Sequence, residues 1–410
     1  MNNVFEGFLS TSEVLEAFGD RNFVAAMLRF ESALVSAQAA AGLVPESAAR
    51  SIVGTCKVEL FDTSKIVRES SRSGSLALPL VKSLKETVNL FNPNAVPYVH
   101  FGSTSQDVLD TSMALITKDV LIDIELHLQQ CIDALLDLGQ KHLTTPTLAR
   151  TLMQPASVTS FGLKCANWAA PLVRSLQRIR IAKRSALKVQ LGGGVGTLAR
   201  MDGKGPQIIA HMAQALALGQ PQSSWHTQRD EWLALGCELA LMVGSLGKIA
   251  KDISLLGQFE IGEVSERREP GRGASSDMPH KNNPVASMAA LAAAVRVPQR
   301  LAAMLAAMPQ EHERALGGWQ AELAEWSQLL MSAHASSKAM AGALPDLVVD
   351  TTRMRSHIDA VARSVDKDSA KTWFDVQLAL GAGDMARSYL QELRAEMATQ
   401  TARPTAPSAF

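Results

Sequence analysis

The densest collection of reactive side chains lies in Gly271-Arg-Gly-Ala-Ser-Ser-Asp-Met-Pro-His-Lys-Asn-Asn-Pro-Val285. A serine pair, a histidine, a lysine and two asparagines stand together there. Gly271 and Gly273 free the backbone for close approach to a ligand, and Pro270 and Pro284 limit helix on either side. Polar stretches of this kind are often plain surface loops, but a plain loop does not need Met278 and Pro279 beside His280 and Lys281. A second stretch is Tyr98-Val-His-Phe-Gly-Ser-Thr-Ser-Gln-Asp-Val-Leu-Asp-Thr111, in which Gly102 to Ser105 reads as a tight connection into a helix. A helix N-terminus with Ser/Thr hydroxyls and free N–H groups favours a carboxylate. Ser105 can equally serve as a simple helix cap.

Four further segments carry candidates. In Trp225-His-Thr-Gln-Arg-Asp230, Gln228 and Arg229 can present a fork of donors to a carboxylate. His226 is either a ligand group or a capping or packing residue, and both readings stand. Met308-Pro-Gln-Glu-His-Glu-Arg314 sets charges beside an Ala/Leu/Met-rich helix, as a solvated turn would. Ala149-Arg-Thr-Leu-Met-Gln-Pro-Ala-Ser157 adds hydroxyl and amide groups. Gln190-Leu-Gly-Gly-Gly-Val-Gly-Thr197 invites a nucleotide reading. It lacks the Gly-Lys-Ser/Thr ending of a phosphate loop, a preceding strand and the G-x-G-x-x-G spacing, so a structural turn between helices is expected. With no H-x-x-H, carboxylate cluster or cysteine pair at ligand spacing, neither a metal nor another cofactor is expected.

The elements that must position these groups read as helices. Phe23, Met27, Phe30 and Leu34 step by four, three and four along one helical face. Trp232, Leu235, Leu239, Met242, Leu246, Ile249, Ile253 and Leu256 sustain a seam of alternating threes and fours. Gly236, Gly244 and Gly247 interrupt that helix at about 1 kcal/mol each relative to Ala, tolerable where another backbone approaches. Similar patterns run over 106–142, 157–189, 285–308 and 317–343. Long helices without hairpin signals predict an all-α protein with a long central bundle. The expected division is a helical domain over 1–105, a five-helix bundle over 106–345 carrying the 270–285 loop, and a short helical domain over 346–410 ending in a disordered tail from Thr401.

Composition narrows the partners. The 410 residues carry 40 basic and 40 acidic side chains, a balance that argues against nucleic acid or an acidic membrane surface. Cys56, Cys131, Cys165 and Cys237 are widely spaced and expected to be buried thiols. The first residues lack the basic and apolar regions of a signal peptide, and no run approaches the ~18 apolar residues of a membrane span. A cytoplasmic protein acting on small molecules, or on copies of itself, is expected.

Ser275-Ser-Asp-Met-Pro-His-Lys-Asn-Asn-Pro284 resembles the signature loop of the fumarase/aspartase/adenylosuccinate lyase superfamily, S-S-x-M-P-x-K-x-N-P, at every specified position. Thr104–Thr111 is similar to its T-S-Q-D-x-x-D-T segment and Ala149–Gln154 to its G-R-T-x-x-Q segment. The resemblance implies a fumarase/aspartase-like fold and a homotetramer with active sites shared between chains. The implied chemistry adds or removes a group β to a carboxylate, through a carbanion delocalised into that carboxylate. Ser275 is then the α-proton transfer residue and Lys281 the stabiliser of the aci-carboxylate. Thr104, Ser105, Thr151, Gln154, His226, Gln228, Arg229, Ser276, Met278, Asn283 and Arg314 become substrate contacts, with Asp107 and Asp110 holding the site in place and His280 a hinge or orienting residue.

W-H-T-Q-R-D, M-P-Q-E-H-E-R and L-G-G-G-x-G-T resemble the bacterial carboxymuconate-cyclising branch of that superfamily. That likeness implies closure of a small polycarboxylate, 3-carboxy-cis,cis-muconate, to its lactone in protocatechuate breakdown. Leu152, Pro155, Asp277 and Asn282 stand where that branch usually has Trp, His, Thr and Arg. No histidine acid or base therefore comes from the 149–157 segment. Two alternatives remain: a lyase releasing fumarate from a succinyl compound, and a weakened structural homologue in which the Asp277 carboxylate repels an anionic substrate.

Overall fold

Apolar spacing of threes and fours becomes helix along most of the chain. In the computed structural model, which describes residues 4–401, five long helices run over Ser105–Lys141 (α1), Phe161–Ala186 (α2), Asp230–Leu256 (α3), Val285–Ala306 (α4) and Gly318–Ala343 (α5). The expected helical class is met, and four of these helices begin and end within two residues of the predicted bounds. The tail expected to be disordered lies, from residue 402, outside the described residues. The chain divides into two units. The first comprises Met1–Ile122, Arg180–Cys237 and Gln299–Met331, and the second Asp123–Ile179, Glu238–Pro298 and Ser332–Phe410.

In the first unit, the helix Asp20–Ala40 buries Met27, Phe30 and Leu34 as their spacing requires, with Phe23 packed at the edge. Helices Glu46–Thr55, Thr63–Ser73 and Ala77–Phe91 surround it. Local signals end them: Asp62 accepts the Lys65 N–H at 2.9 Å, and Gly74 closes the same helix in the left-handed region at φ 67°. Trp232 of α3 stacks on Trp326 of α5 with ring centroids 4.0 Å apart.

The second unit departs from the prediction ahead of α2. A helix is expected from residue 157, but Pro146–Thr151 (β1) and Gln154–Ser160 (β2) form an antiparallel hairpin, and α2 starts only at Phe161. The two turn residues, Leu152 and Met153, adopt φ 48° and 66°. This is the geometry that two-residue hairpins demand and that Asn-Gly normally supplies; a Leu-Met pair gives no such signal. Ser160 Oγ then caps α2 by accepting the Leu163 N–H at 2.9 Å. The hairpin seats Leu148 and Val158 on Ile358 and Ala379 of the helices Thr351–Ser364 and Leu378–Thr401.

The α3 seam is buried from Trp232 to Leu256. By length and hydropathy alone, α3 and α4 would each pass as membrane spans, contrary to expectation, but α3 uses its apolar face as core. Its glycines differ in purpose. A Cβ on Gly247 would stand 2.5 Å from the Ala294 Cβ of α4, whereas one on Gly244 meets nothing within 4 Å. Gly247 is required by the close approach of α4, and a Cβ on Gly236 would also be tight, 3.3 Å from the Trp326 ring of α5. Gly247→Ala is therefore expected to lower stability by about 1–3 kcal/mol through overpacking, despite the better helix propensity of Ala. Ala294→Gly in the same chain should restore much of it, as read by thermal unfolding of the single and double variants.

Candidate active site

The candidate residues fall into one group in each unit. In the first, α1 begins at Ser105, one residue before its predicted start, and its N-terminus is built around Asp107. This carboxylate has no solvent exposure. It accepts N–H groups from Thr104 at 3.0 Å and from Gly192 and Gly193 at 2.9 Å each, and His226 Nε2 at 2.7 Å. The glycine run is thus a structural turn, as expected: a Cβ on Gly192 would lie 2.5 Å from Ser224 Oγ, and Gly193 sits at φ 68°. His226 is buried, and its other ring nitrogen meets Ser224 Oγ at 3.1 Å. Both nitrogens being engaged, the packing alternative describes its geometry.

Two arginines expected to clamp substrate behave differently. Arg314 Nη1 donates to Thr104 Oγ1 at 2.6 Å and Nη2 to Ser105 Oγ at 3.0 Å. The three residues thus gather at the helix N-terminus, and half-buried Arg314 keeps N–H groups for a ligand. Arg229 is a correction. It is fully buried, with Nη1 and Nη2 on Asp110 at 2.9 and 3.3 Å, Nε and Nη2 on Glu322, and Nη1 also on the Trp225 carbonyl at 3.3 Å. Its five donors are spent on the protein, so it holds α1, α3 and α5 together instead of gripping a substrate. Burial pushes the Glu322 carboxyl up despite Arg229, with Asp110 adding to the rise. Gln228 beside it is exposed.

Sequence reasoning misses one pair here. His100, at φ 58°, meets the buried Glu31 Oε1 through Nδ1 at 2.6 Å and Ser103 Oγ at 3.0 Å. Burial alone would lower the imidazole pKa; the Glu31 carboxylate overrides it, and the net shift is upward. The available signal was Glu31 itself, an acid among the mostly apolar buried residues of the helix Asp20–Ala40.

In the second unit the signature loop is a closed hairpin-like turn. Asn283 N–H donates to the Gly273 carbonyl at 2.9 Å, and Ala274 bridges Asn282. A Cβ on Gly273 would stand 2.4 Å from the Asn283 carbonyl oxygen. Ser275 Oγ accepts the N–H groups of Asp277 at 3.4 Å and Met278 at 3.1 Å, donors that favour a more anionic oxygen. Ser276, Met278, His280 and Lys281 are exposed, and Lys281, Asn282 and Asn283 line a cavity of about 240 Å³ with Ser254, Gln258 and Glu266. Thr151 and Gln154 flank the exposed hairpin turn, where Leu152 is 97% and Met153 69% exposed. Pro155 pairs with Arg150 in the ladder. Taken together, the first group can bind a carboxylate, and the second offers a hydroxyl and an ammonium on one loop.

The lyase family's sequence profile matches residues 9–299. A 3-carboxy-cis,cis-muconate cycloisomerase of Bradyrhizobium diazoefficiens is 41% identical over 352 residues, 86% of this chain and 78% of that one. A nitrosuccinate lyase of Streptomyces davaonensis is 39% identical over 351 residues, 84% of this chain and 74% of its own. The crystal structure of the 3-carboxy-cis,cis-muconate lactonizing enzyme from Pseudomonas putida superposes with a TM-score of 0.87 at 33% identity, covering 98% of this chain and 100% of that one.

Arg229→Met is expected to cost about 3–5 kcal/mol in denaturant unfolding, because it strands two buried carboxylates; a residue that only gripped substrate would leave stability unchanged. The His100–Glu31 pair should show in the pH dependence. A raised folded pKa means its contribution is complete below the unfolded value of about 6.5 and lost as pH rises through the folded one. The stability of the wild type relative to His100→Asn, which tolerates the same backbone, should therefore fall as pH rises above about 6.5. A pH-independent difference counts against the pair.

Proposed function

The chain belongs to the lyase family of enzymes, and from that membership we propose that it closes 3-carboxy-cis,cis-muconate to its lactone. One carboxylate oxygen of the substrate attacks the distal double bond at the carbon β to another carboxylate. The displaced electron pair moves into that carboxylate, giving the aci form, and a proton is then delivered to the α carbon. The attacking group is part of the substrate, so orientation supplies much of the rate.

Three tasks follow for the protein. Arg314, Thr104 and Ser105 receive one carboxylate at the N-terminus of α1, where the helix dipole adds to their donors. Lys281, with Asn283, meets the charge of the aci-carboxylate. Ser275 transfers the proton, its oxygen made more acidic by two loop N–H groups. Thr151, Gln154, Gln228, Ser276 and Met278 complete the substrate contacts in this reading, while His226 and Asp107 position the α1 N-terminus. Assembly as a homotetramer with sites completed by neighbouring copies, in the cytoplasm, belongs to the same proposal. The exposed apolar side chains of α4, Met288 and Val295 among them, supply surface for it.

The observation that carries the reading is the loop itself: Ser275 held by backbone donors six residues from Lys281, in a chain whose other motifs resemble those of muconate-cyclising relatives. A second reading is elimination from a substituted succinate. It is favoured by the nitrosuccinate lyase relative. It uses the same carbanion in reverse. Loss of the diene ultraviolet absorbance with carboxymuconate is expected for the first, and fumarate release from succinyl substrates for the second. Lys281→Ala should reduce the active reaction by about 10²–10³-fold, the usual loss for a donor to a developing oxyanion, without changing helical content. Near-normal turnover in that variant would remove Lys281, and the proposal, from consideration.

A further inference from the structure

Arg150 and Glu263 take no part in the reaction above, yet they form a largely buried ion pair in the second unit. Glu263 has no exposed surface. Its carboxylate accepts Arg150 Nη2 at 2.6 Å on Oε1 and Nη1 at 3.0 Å on Oε2, and His357 Nδ1 meets Oε1 at 2.7 Å. A bidentate guanidinium–carboxylate pair fixes distance and plane together, as a point charge does not. The main chain of Glu263 is held as well: its N–H donates to the Leu256 carbonyl and its carbonyl accepts the Asp350 N–H, each at 2.9 Å.

What this link joins gives it meaning. Arg150 directly precedes Thr151, and a bulge between Ala149 and Arg150 interrupts the hairpin register at that point. Such a bulge re-aims a side chain, here inward toward Glu263. On the other side, Val264–Ser265 pair with Val348–Val349. Glu266 then accepts the N–H groups of Ala286 at 3.1 Å and Ser287 at 2.8 Å, and Ser287 Oγ at 2.7 Å. Glu266 therefore ties the start of the signature loop to the start of α4, where the loop returns. The loop leaves from a clamped base, and Arg150 clamps the hairpin tip to the same base.

We propose that Glu263 is a positioning residue that holds the hairpin tip, with Thr151 and Gln154, in register with the loop that carries Ser275 and Lys281. This rests on the reading of tip and loop as substrate-binding parts. The expected signature is a kcat effect. Glu263→Gln and Arg150→Lys, which keep size or charge but lose the paired fork, should each lower kcat by about 10²-fold, as small displacements of reacting groups do, with KM little changed. The double variant should be no worse than the poorer single one, because both sever one link. Gly247→Ala, destabilised elsewhere, should keep its kcat. Hydrogen–deuterium exchange supplies a readout independent of turnover: Arg150→Lys, a change in the hairpin, should speed exchange across residues 264–285. Should Glu263→Gln fail to fold, Arg150→Lys carries the test alone. Unchanged exchange in the loop overturns the proposal, as does retained kcat in either variant or an equal loss in Gly247→Ala. Wild type that turns over none of the substrates but still shows the exchange coupling would instead refute the proposed function and leave the link standing.

Discussion

The arrangement at the head of α1 depends on one carboxylate kept out of water. A bare carboxylate in that position would be several kcal/mol too costly to bury. Asp107 is sustained because four donors from three separate stretches of chain converge on it. The glycines at 192 and 193 are there for that convergence: side chains would collide with Ser224, His226 or the Gly102 carbonyl before the N–H groups came within reach. Thr104 and Ser105 owe their orientation to the same carboxylate, and Arg314 finds them where it does because of it.

Burial, more than residue type, sorts the charged groups into roles. Arg229 and Arg314 are equally able to bind an anion in principle. One is enclosed by Asp110 and Glu322 and has no donor left; the other lies half-buried on two hydroxyls and keeps donors in hand. Arg150 repeats the first case in the second unit, where Glu263 takes both of its terminal nitrogens. A cation in a motif is therefore a weak guide until its acids are found. Those acids lie 93, 113 and 119 residues away along the chain.

The long helices were legible because period and burial agree: each seam position from Trp232 to Leu256 is buried. The signature loop was legible because glycine, proline and a fixed polar order crowd into a short space. The hairpin over 146–160 was not, since its turn is made by leucine and methionine in a conformation those residues rarely adopt. Nor was the fate of Arg229, which long-range pairing decides, or the Glu31–His100 contact, whose only trace was an acid on an apolar face. The purpose of Gly244 and Gly247 could not be told apart from spacing, because the approach of a neighbouring helix is a property of the folded chain.

The Leu152–Met153 turn has a further consequence. Left-handed backbone at two residues with full side chains costs on the order of 1–2 kcal/mol each, and neither side chain recovers it by packing within the chain. The strain lowers the free energy of local opening at the tip, while the Arg150–Glu263 link two residues away resists it. Fraying is thus confined to a short apolar cap on an otherwise rigid arm.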